Sequence, residues 1–383
     1  MESVPAPFWF VQFFKVVGFT LHMIPMGIWF AGLPVVILCA LRNGEHSRFY
    51  ARRMTKQLPV MMALGINFGI VPLLFLQTTY YKAFYTATIL TAWFWIAVIP
   101  ILIIGYYSLY IAAYSEESKE GKRSGRMILF SIIASVCLIC IGILNTNGLT
   151  LLVSSELWSD MVAKTSYYGA VLGTAHNFEN PVLWMRLATM FGLGLITAGV
   201  WAAFDSHFLM RADAQDVPAN YRQWTTTLAL ILTLVGVTIL TTMEYEVKTD
   251  PFAALQPYPP ADIRENVISG NPVVAARLAL TVAYPLFGWV LLLACTVFVA
   301  LLLARRGSAT FVALAAVLQF LMLAGFAVIR QIGQNQGMAR FIDVSTQPET
   351  VQWDTLIAFL VCFLLGVGVI VWMVVQCVKC AEK

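Results

Sequence analysis

Nine long apolar runs organise the chain, at about 8–41, 58–80, 85–114, 127–154, 181–210, 225–245, 276–304, 309–333 and 355–378. Almost every ionisable residue falls outside them. A helix crossing the hydrocarbon of a bilayer needs roughly 20 apolar residues, and lipid offers backbone groups no partner but their own helix. The pattern therefore predicts an all-α, polytopic membrane helix bundle. Nine crossings use most of the 383 residues, leave no room for a soluble domain, and make 1–383 a single integral membrane domain. Prolines 25, 34, 72, 100 and 285 should kink several helices.

Charge adds direction. Arg42, Arg48, Arg52, Arg53 and Lys56 flank one side, with Lys119, Lys122, Arg123, Arg126, Arg211, Arg222, Arg305, Arg306, Lys379 and Lys383. The opposite loops hold Lys82, Lys164, Lys248, Arg264 and Arg340. The basic side should face the cytoplasm, with the N-terminus outside and the C-terminus inside. The isoelectric point of 8.6 is no sign of a nucleic-acid partner, because the basic residues sit at helix ends; the surrounding partner is membrane lipid. The first run has no basic segment before it and is too long for a signal peptide, so it reads as a retained helix. Composition agrees with the class: 60% hydrophobic, 11% charged, mean hydropathy +0.78. The seven cysteines form no disulfide framework. Cys137-x-x-Cys140 and Cys377-x-x-Cys380 have a redox or metal spacing, but neither is followed by His, so neither is a c-type haem attachment site.

Between the fourth and fifth runs, 155–180 reads as a short helix on the outer surface, with Trp158, Tyr167 and Tyr168 in the interfacial belt. Pro-rich 247–273 reads as an extended outer loop and a docking surface for a partner. Asn145-Thr146-Asn147-Gly148 should break the fourth helix in its outer half.

Polar residues inside the runs are the candidates for chemistry, because placing them there costs free energy. His22 lies in the first run; a neutral imidazole at that depth can ligate haem iron, or simply bond a neighbouring helix. His176, in the outer loop, could return to the bundle as a second ligand or stay exposed; His46 and His207 lie on the cytoplasmic side. A pair of histidines at matched depth, the signature of a bis-imidazole haem, is missing. Arg186, Arg277 and Arg330 lie in the outer ends of helices, where they can snorkel or meet haem propionates or another anion. No Asp or Glu lies at the centre of a run, which argues against proton-coupled oxidase chemistry by this chain alone.

These residues resemble subunit I of the cytochrome bd quinol oxidases. That family has nine helices with the N-terminus outside, and a haem-ligating His on its first helix followed by Pro and a small residue. Phe19-Thr20-Leu21-His22-Met23-Ile24-Pro25-Met26-Gly27 is similar to that element. Asn180-Pro181-Val182-Leu183-Trp184-Met185-Arg186 resembles the start of the family's fifth helix, and Ala276-Arg277-Leu278 that of its seventh. The departures are as plain. Leu187-Ala188-Thr189 stands where the family has a His, Ala279 where it has a Met ligand, and the third run lacks the family's glutamates. The long quinol loop is short, and Gly333-Gln334-Asn335-Gln336-Gly337 replaces the Gly-Arg-Gln-Pro-Trp run.

The resemblance implies a bd-like subunit of a bacterial respiratory or electron-transfer complex in the cytoplasmic (inner) membrane. It would hold at most one haem b through His22, with Arg186 and Arg277 as propionate partners. It would pass electrons between the quinone pool and an outer partner, or only anchor that partner. The partner would be a ligand-bearing homologous subunit or a c-type cytochrome. A haem-free structural subunit and a small-solute or ion transporter are the other classes the residues allow.

Overall fold

The computed structural model describes residues 3–115, 125–210, 217–249, 273–339 and 347–382, with side chains except at 156, 243–249, 273–287, 336, 339, 374, 377, 378 and 380–382. Twelve helices appear in these segments: α1 Phe8–Phe30, α2 Gly32–Leu41, α3 Glu45–Thr79, α4 Tyr81–Leu90, α5 Ala92–Ala113, α6 Gly125–Leu152, α7 Trp158–Thr165, α8 Pro181–Phe204, α9 Tyr221–Thr249, α10 Val273–Ala304, α11 Ala309–Ala339 and α12 Trp353–Glu382. Among the described residues eight helical stretches are long and apolar enough to cross a membrane. The apolar part of α10, Gly288–Ala304, falls where the sequence puts the remaining crossing. This is the all-α membrane bundle the hydropathy predicts. The Pro-rich 247–273 lies almost wholly outside the described residues.

Three breaks divide the predicted runs. The first span pauses at Ala31, between α1 and α2, and Ala31 N–H still bonds Gly27 O at 3.2 Å. The second span, α3, is 35 residues long and ends at buried Tyr80. The third run is split at Thr91 into α4 and α5 for a tertiary reason. The loop after α7 returns to this point, where Ala175 N–H donates to Leu90 O (2.9 Å) and Trp93 N–H donates to Gly173 O (3.1 Å). Those two backbone groups are taken from the helix ladder by the loop. Gly173 has φ +72°, and a Cβ there would stand 2.8 Å from that of Ala92, so only glycine fits.

The break predicted at Asn145-Thr146-Asn147-Gly148 is not there: α6 runs through it. Thr146 spends its hydroxyl inside the helix, donating to Gly142 O at 2.7 Å. Asn147 is fully buried, and its Oδ1 accepts from Asn177 N–H at 2.7 Å, so its polarity serves the loop rather than breaking its own helix. The surface helix expected in 155–180 is present as α7. A two-residue hairpin, Ser166–Tyr167 with Ala170–Val171, follows it, turning through Tyr168 (φ 48°) and Gly169 (φ 81°) as a tight hairpin with two left-handed residues demands. Asn180 caps α8 by accepting from Val182 N–H at 2.9 Å, with Pro181 at the first helical position.

At the centre, α1, α8 and α9 approach backbone to backbone. A Cβ on Gly194 would meet Ala31 Cβ at 2.8 Å, and one on Gly236 would meet Gly192 O at 2.6 Å. Without a hydrophobic drive between helices in lipid, such close packing is a main source of association. At the periphery α5 turns Trp93, Ile99 and Tyr107 outward. α12 is clasped to the bundle by Phe359 and Phe363 against Phe14 and Phe75. The N-terminal segment pairs with the approach to α12: Val4 N–H bonds Pro348 O at 2.8 Å, and Glu349 Oε1 accepts from Phe8 N–H at 2.8 Å.

Candidate functional site

His22 sits in a notch cut into α3 by Gly65 and Gly69. A Cβ on Gly69 would stand 2.8 Å from its Nδ1. Its Nδ1 lies 2.7 Å from Gly65 O. A carbonyl only accepts, so Nδ1 carries the proton and Nε2 keeps its lone pair. No hydrogen bond to Nε2 is found among the described residues. Fixing one ring nitrogen on a backbone carbonyl while leaving the other as a base is the arrangement seen in metal-ligating histidines.

The same part of the bundle is cationic. Arg330, on α11, lays its guanidinium 4.0 Å over the ring of Phe19, which neighbours His22 one turn away on α1. Arg330 feels the like charge of Arg186, and His22 and Lys15 feel that of Arg330. Arg186 reaches Thr150 Oγ1 at 3.4 Å. Lys15 is buried, 2% exposed; its ammonium donates to Gln334 Oε1 at 3.0 Å and lies 4.2 Å over the ring of Tyr80. Around it Gln12, Tyr80, Gln331 and Asn335 close an amide and phenol network, with Gln331 Nε2 donating to Asn335 Oδ1 at 2.7 Å and Asn335 Nδ2 to Gln12 Oε1 at 3.0 Å. Among the described residues no carboxylate pairs with Lys15, Arg186 or Arg330. Two further buried donors, Asn147 Nδ2 and Asn177 Nδ2, have no partner there. Buried cations are costly without a counter-charge, so this half of the bundle is complementary to an anionic, acceptor-rich group.

The other histidines lie elsewhere. His176 is exposed and stacks on Phe178 at 5.0 Å. His46 Nε2 lies 2.7 Å from Ala219 O, and His207 Nδ1 2.9 Å from Ala203 O. Arg277 is in α10, within 273–287, outside the described side chains. Among the described residues no three His, Cys, Asp or Glu gather to hold a metal ion. Arg330, third among the arginines at helix ends, joins His22 and Arg186. Lys15, Gly65, Gly69 and the Gln334–Asn335 pair escape the sequence reading, which counted Lys15 as a residue at a helix end. The available signals were a lysine eight residues inside an apolar helix and glycines spaced i, i+4.

A second polar centre lies on the basic side. Asp205, 1% exposed, accepts from Arg53 through both Nε and Nη2, the latter at 2.8 Å, and from Gln57 Nε2 at 2.7 Å. Gln57 Oε1 in turn accepts from Trp201 Nε1 at 2.9 Å. It is a structural clasp between α3 and the π-turn Asp205–Leu209 after α8.

The fold and site thus define a multi-pass membrane helix bundle with one shielded imidazole and an unbalanced set of cations. The bundle is similar to a chain of the bd oxidase from Geobacillus thermodenitrificans, with a TM-score of 0.64 over 99% of each chain at 13% sequence identity. At that identity the likeness concerns the fold. No protein-family model and no curated protein sequence matches the chain.

Proposed function

We propose that the chain is a bd-like membrane subunit of a bacterial respiratory or electron-transfer complex, in the cytoplasmic membrane, with its N-terminus outside. It holds at most one haem b on His22 Nε2. Arg186, Arg330 and Lys15 supply the positive charge for its propionates, a role the sequence also suggests for Arg277. One observation carries this reading: an imidazole with Nδ1 tied to Gly65 O stands beside three cations without a carboxylate. Bound there, the haem would supply one-electron transfer. The chain's own residues orient the imidazole, exclude lipid from it with Phe19 and fix the two charged ends. His176 does not join His22 through any contact among the described residues, so the haem would take its sixth ligand from elsewhere or have none.

The pairing of Val4 with Glu349 supports nine crossings. It sets the start of the first span beside the start of the last, which requires an even number of crossings before α12. Seven candidate spans precede α12, and α10 makes the eighth. The chain would pass electrons between the quinone pool and an outer partner, a ligand-bearing homologous subunit or a c-type cytochrome, or would anchor that partner. The transporter reading loses its main feature, because α6 is continuous where a broken helix was expected.

The test is a reduced-minus-oxidised spectrum of the purified complex, with haem counted per chain. A b-type band that vanishes in His22→Ala, while the protein remains in the membrane, is the expected result. An unchanged spectrum in that variant removes haem from this chain and leaves the anchoring role.

A further inference from the structure

A second site lies apart from the His22 notch. A cavity of about 250 Å³ opens between α1, α8 and α11, lined by Ile28, Trp201, Phe204, Phe320, Thr197 and Gln319. Ligand pockets run from roughly 300 Å³ upward, so it has room for one ring and not for a lipid. Phe320, on its wall, is 43% exposed on the outside of the bundle, so the cavity stands beside the hydrocarbon.

Its polarity is one-sided. Gln319 is 3% exposed. Its Nε2 donates to Thr197 Oγ1 at 2.8 Å, and the Thr197 hydroxyl donates to Leu193 O at 2.8 Å. Those two bonds fix which end of the carboxamide is oxygen. Gln319 Oε1 has no partner. The other donor on the wall, Trp201 Nε1, is committed to Gln57 Oε1. The cavity therefore offers a free acceptor and no free donor. A buried acceptor left unmade costs about 1–3 kcal/mol, so a ligand bringing a hydroxyl is favoured and one bringing only a carbonyl is not.

Depth narrows the source. Gln319 is ten residues into α11, about 15 Å along its axis, near the middle of a hydrocarbon layer about 30 Å thick. Phospholipid headgroups do not reach that depth. A hydroxyl there belongs to a molecule dissolved in the membrane, and the walls of Trp201, Phe204 and Phe320 suit a flat ring. We propose that this cavity binds the ring of a hydroquinone, in preference to its oxidised quinone, through a hydroxyl donated to Gln319 Oε1. The site is independent of the haem reading.

The test uses the full chain in lipid nanodiscs and three probes of one shape: tetramethylhydroquinone, its quinone and its dimethyl ether. Binding is measured against empty nanodiscs. The hydroquinone should bind about tenfold tighter than the other two, the worth of one hydrogen bond. Gln319→Leu should erase the difference, and Ala316→Phe should block all three. His22→Ala should leave the preference intact, even if it removes a haem. Equal binding of the three probes to the unaltered chain overturns the proposal, and that comparison needs no variant to fold. A long-chain isoprenoid alcohol that displaces the hydroquinone at equal concentration overturns the ring assignment.

Discussion

Removing Arg53 should be one of the most damaging single changes to this fold. The Asp205 carboxylate is 1% exposed and takes bonds from Arg53 Nε, Arg53 Nη2 and Gln57 Nε2. In Arg53→Ala the carboxylate stays buried with only the Gln57 bond. Stripping one partner from a buried ion pair costs about 3–5 kcal/mol, because the remaining charge is uncompensated. A retained hydrogen bond to a charged group is worth about 1.5–3 kcal/mol, so Gln57 cannot replace the guanidinium. The double variant Arg53→Met with Asp205→Leu removes both charges, and should recover to within about 1 kcal/mol, since an apolar pair of similar size is often neutral. Reversible unfolding in mixed micelles, run on the two single variants and the double, measures this directly as a coupling energy. If Arg53→Ala costs less than about 1 kcal/mol, or the double is as unstable as the singles, the clasp contributes little and the reasoning fails.

Gly69→Val should drive a side chain into the 2.8 Å gap to His22 Nδ1, costing about 1–3 kcal/mol by overpacking and breaking the bond to Gly65 O; loss of the characteristic imidazole resonance or of a b-type band would register it, and an unmoved His22 signal would contradict it. Lys15→Met keeps the length of a buried side chain but removes its ammonium, so the protein should fold as well as before while haem retained per chain falls; equal retention would sever Lys15 from the site. Asn147→Leu removes the acceptor of Asn177 N–H, at about 1–3 kcal/mol for the donor left unmade. Hydrogen exchange should rise in 174–180 and stay unchanged in the middle of α8; protection unaltered in both would refute it.

The bundle was legible from hydropathy because each span carries its own signal. The breaks were not, because their causes are tertiary. Thr91 divides a helix only where Gly173 and Ala175 return from another part of the chain to take its neighbours' backbone bonds. Asn147 misleads for the mirror reason: a residue that disfavours an isolated helix finds its partner in Asn177 and leaves α6 whole. At the candidate site, His22, Arg186 and Arg330 stood out as ionisable groups in apolar surroundings. Lys15 did not, since a lysine near a helix end is read as snorkelling until Gln334 and Tyr80 are seen to enclose it. Gln319 gave no signal at all; an uncharged amide becomes informative only when its neighbours fix which end is free.

The backbone seam of α1, α8 and α9 has a consequence for how such a chain can vary. What it asks of Gly27, Gly192, Gly194 and Gly236 is an upper limit on volume, not a chemistry. The lipid-facing surfaces ask only for an oily side chain, and any of several will serve. An architecture specified by size limits at its centre and greasiness at its edge leaves few positions where one particular residue is demanded, so shape can outlast nearly all resemblance in spelling, as 13% identity across 99% of both chains illustrates.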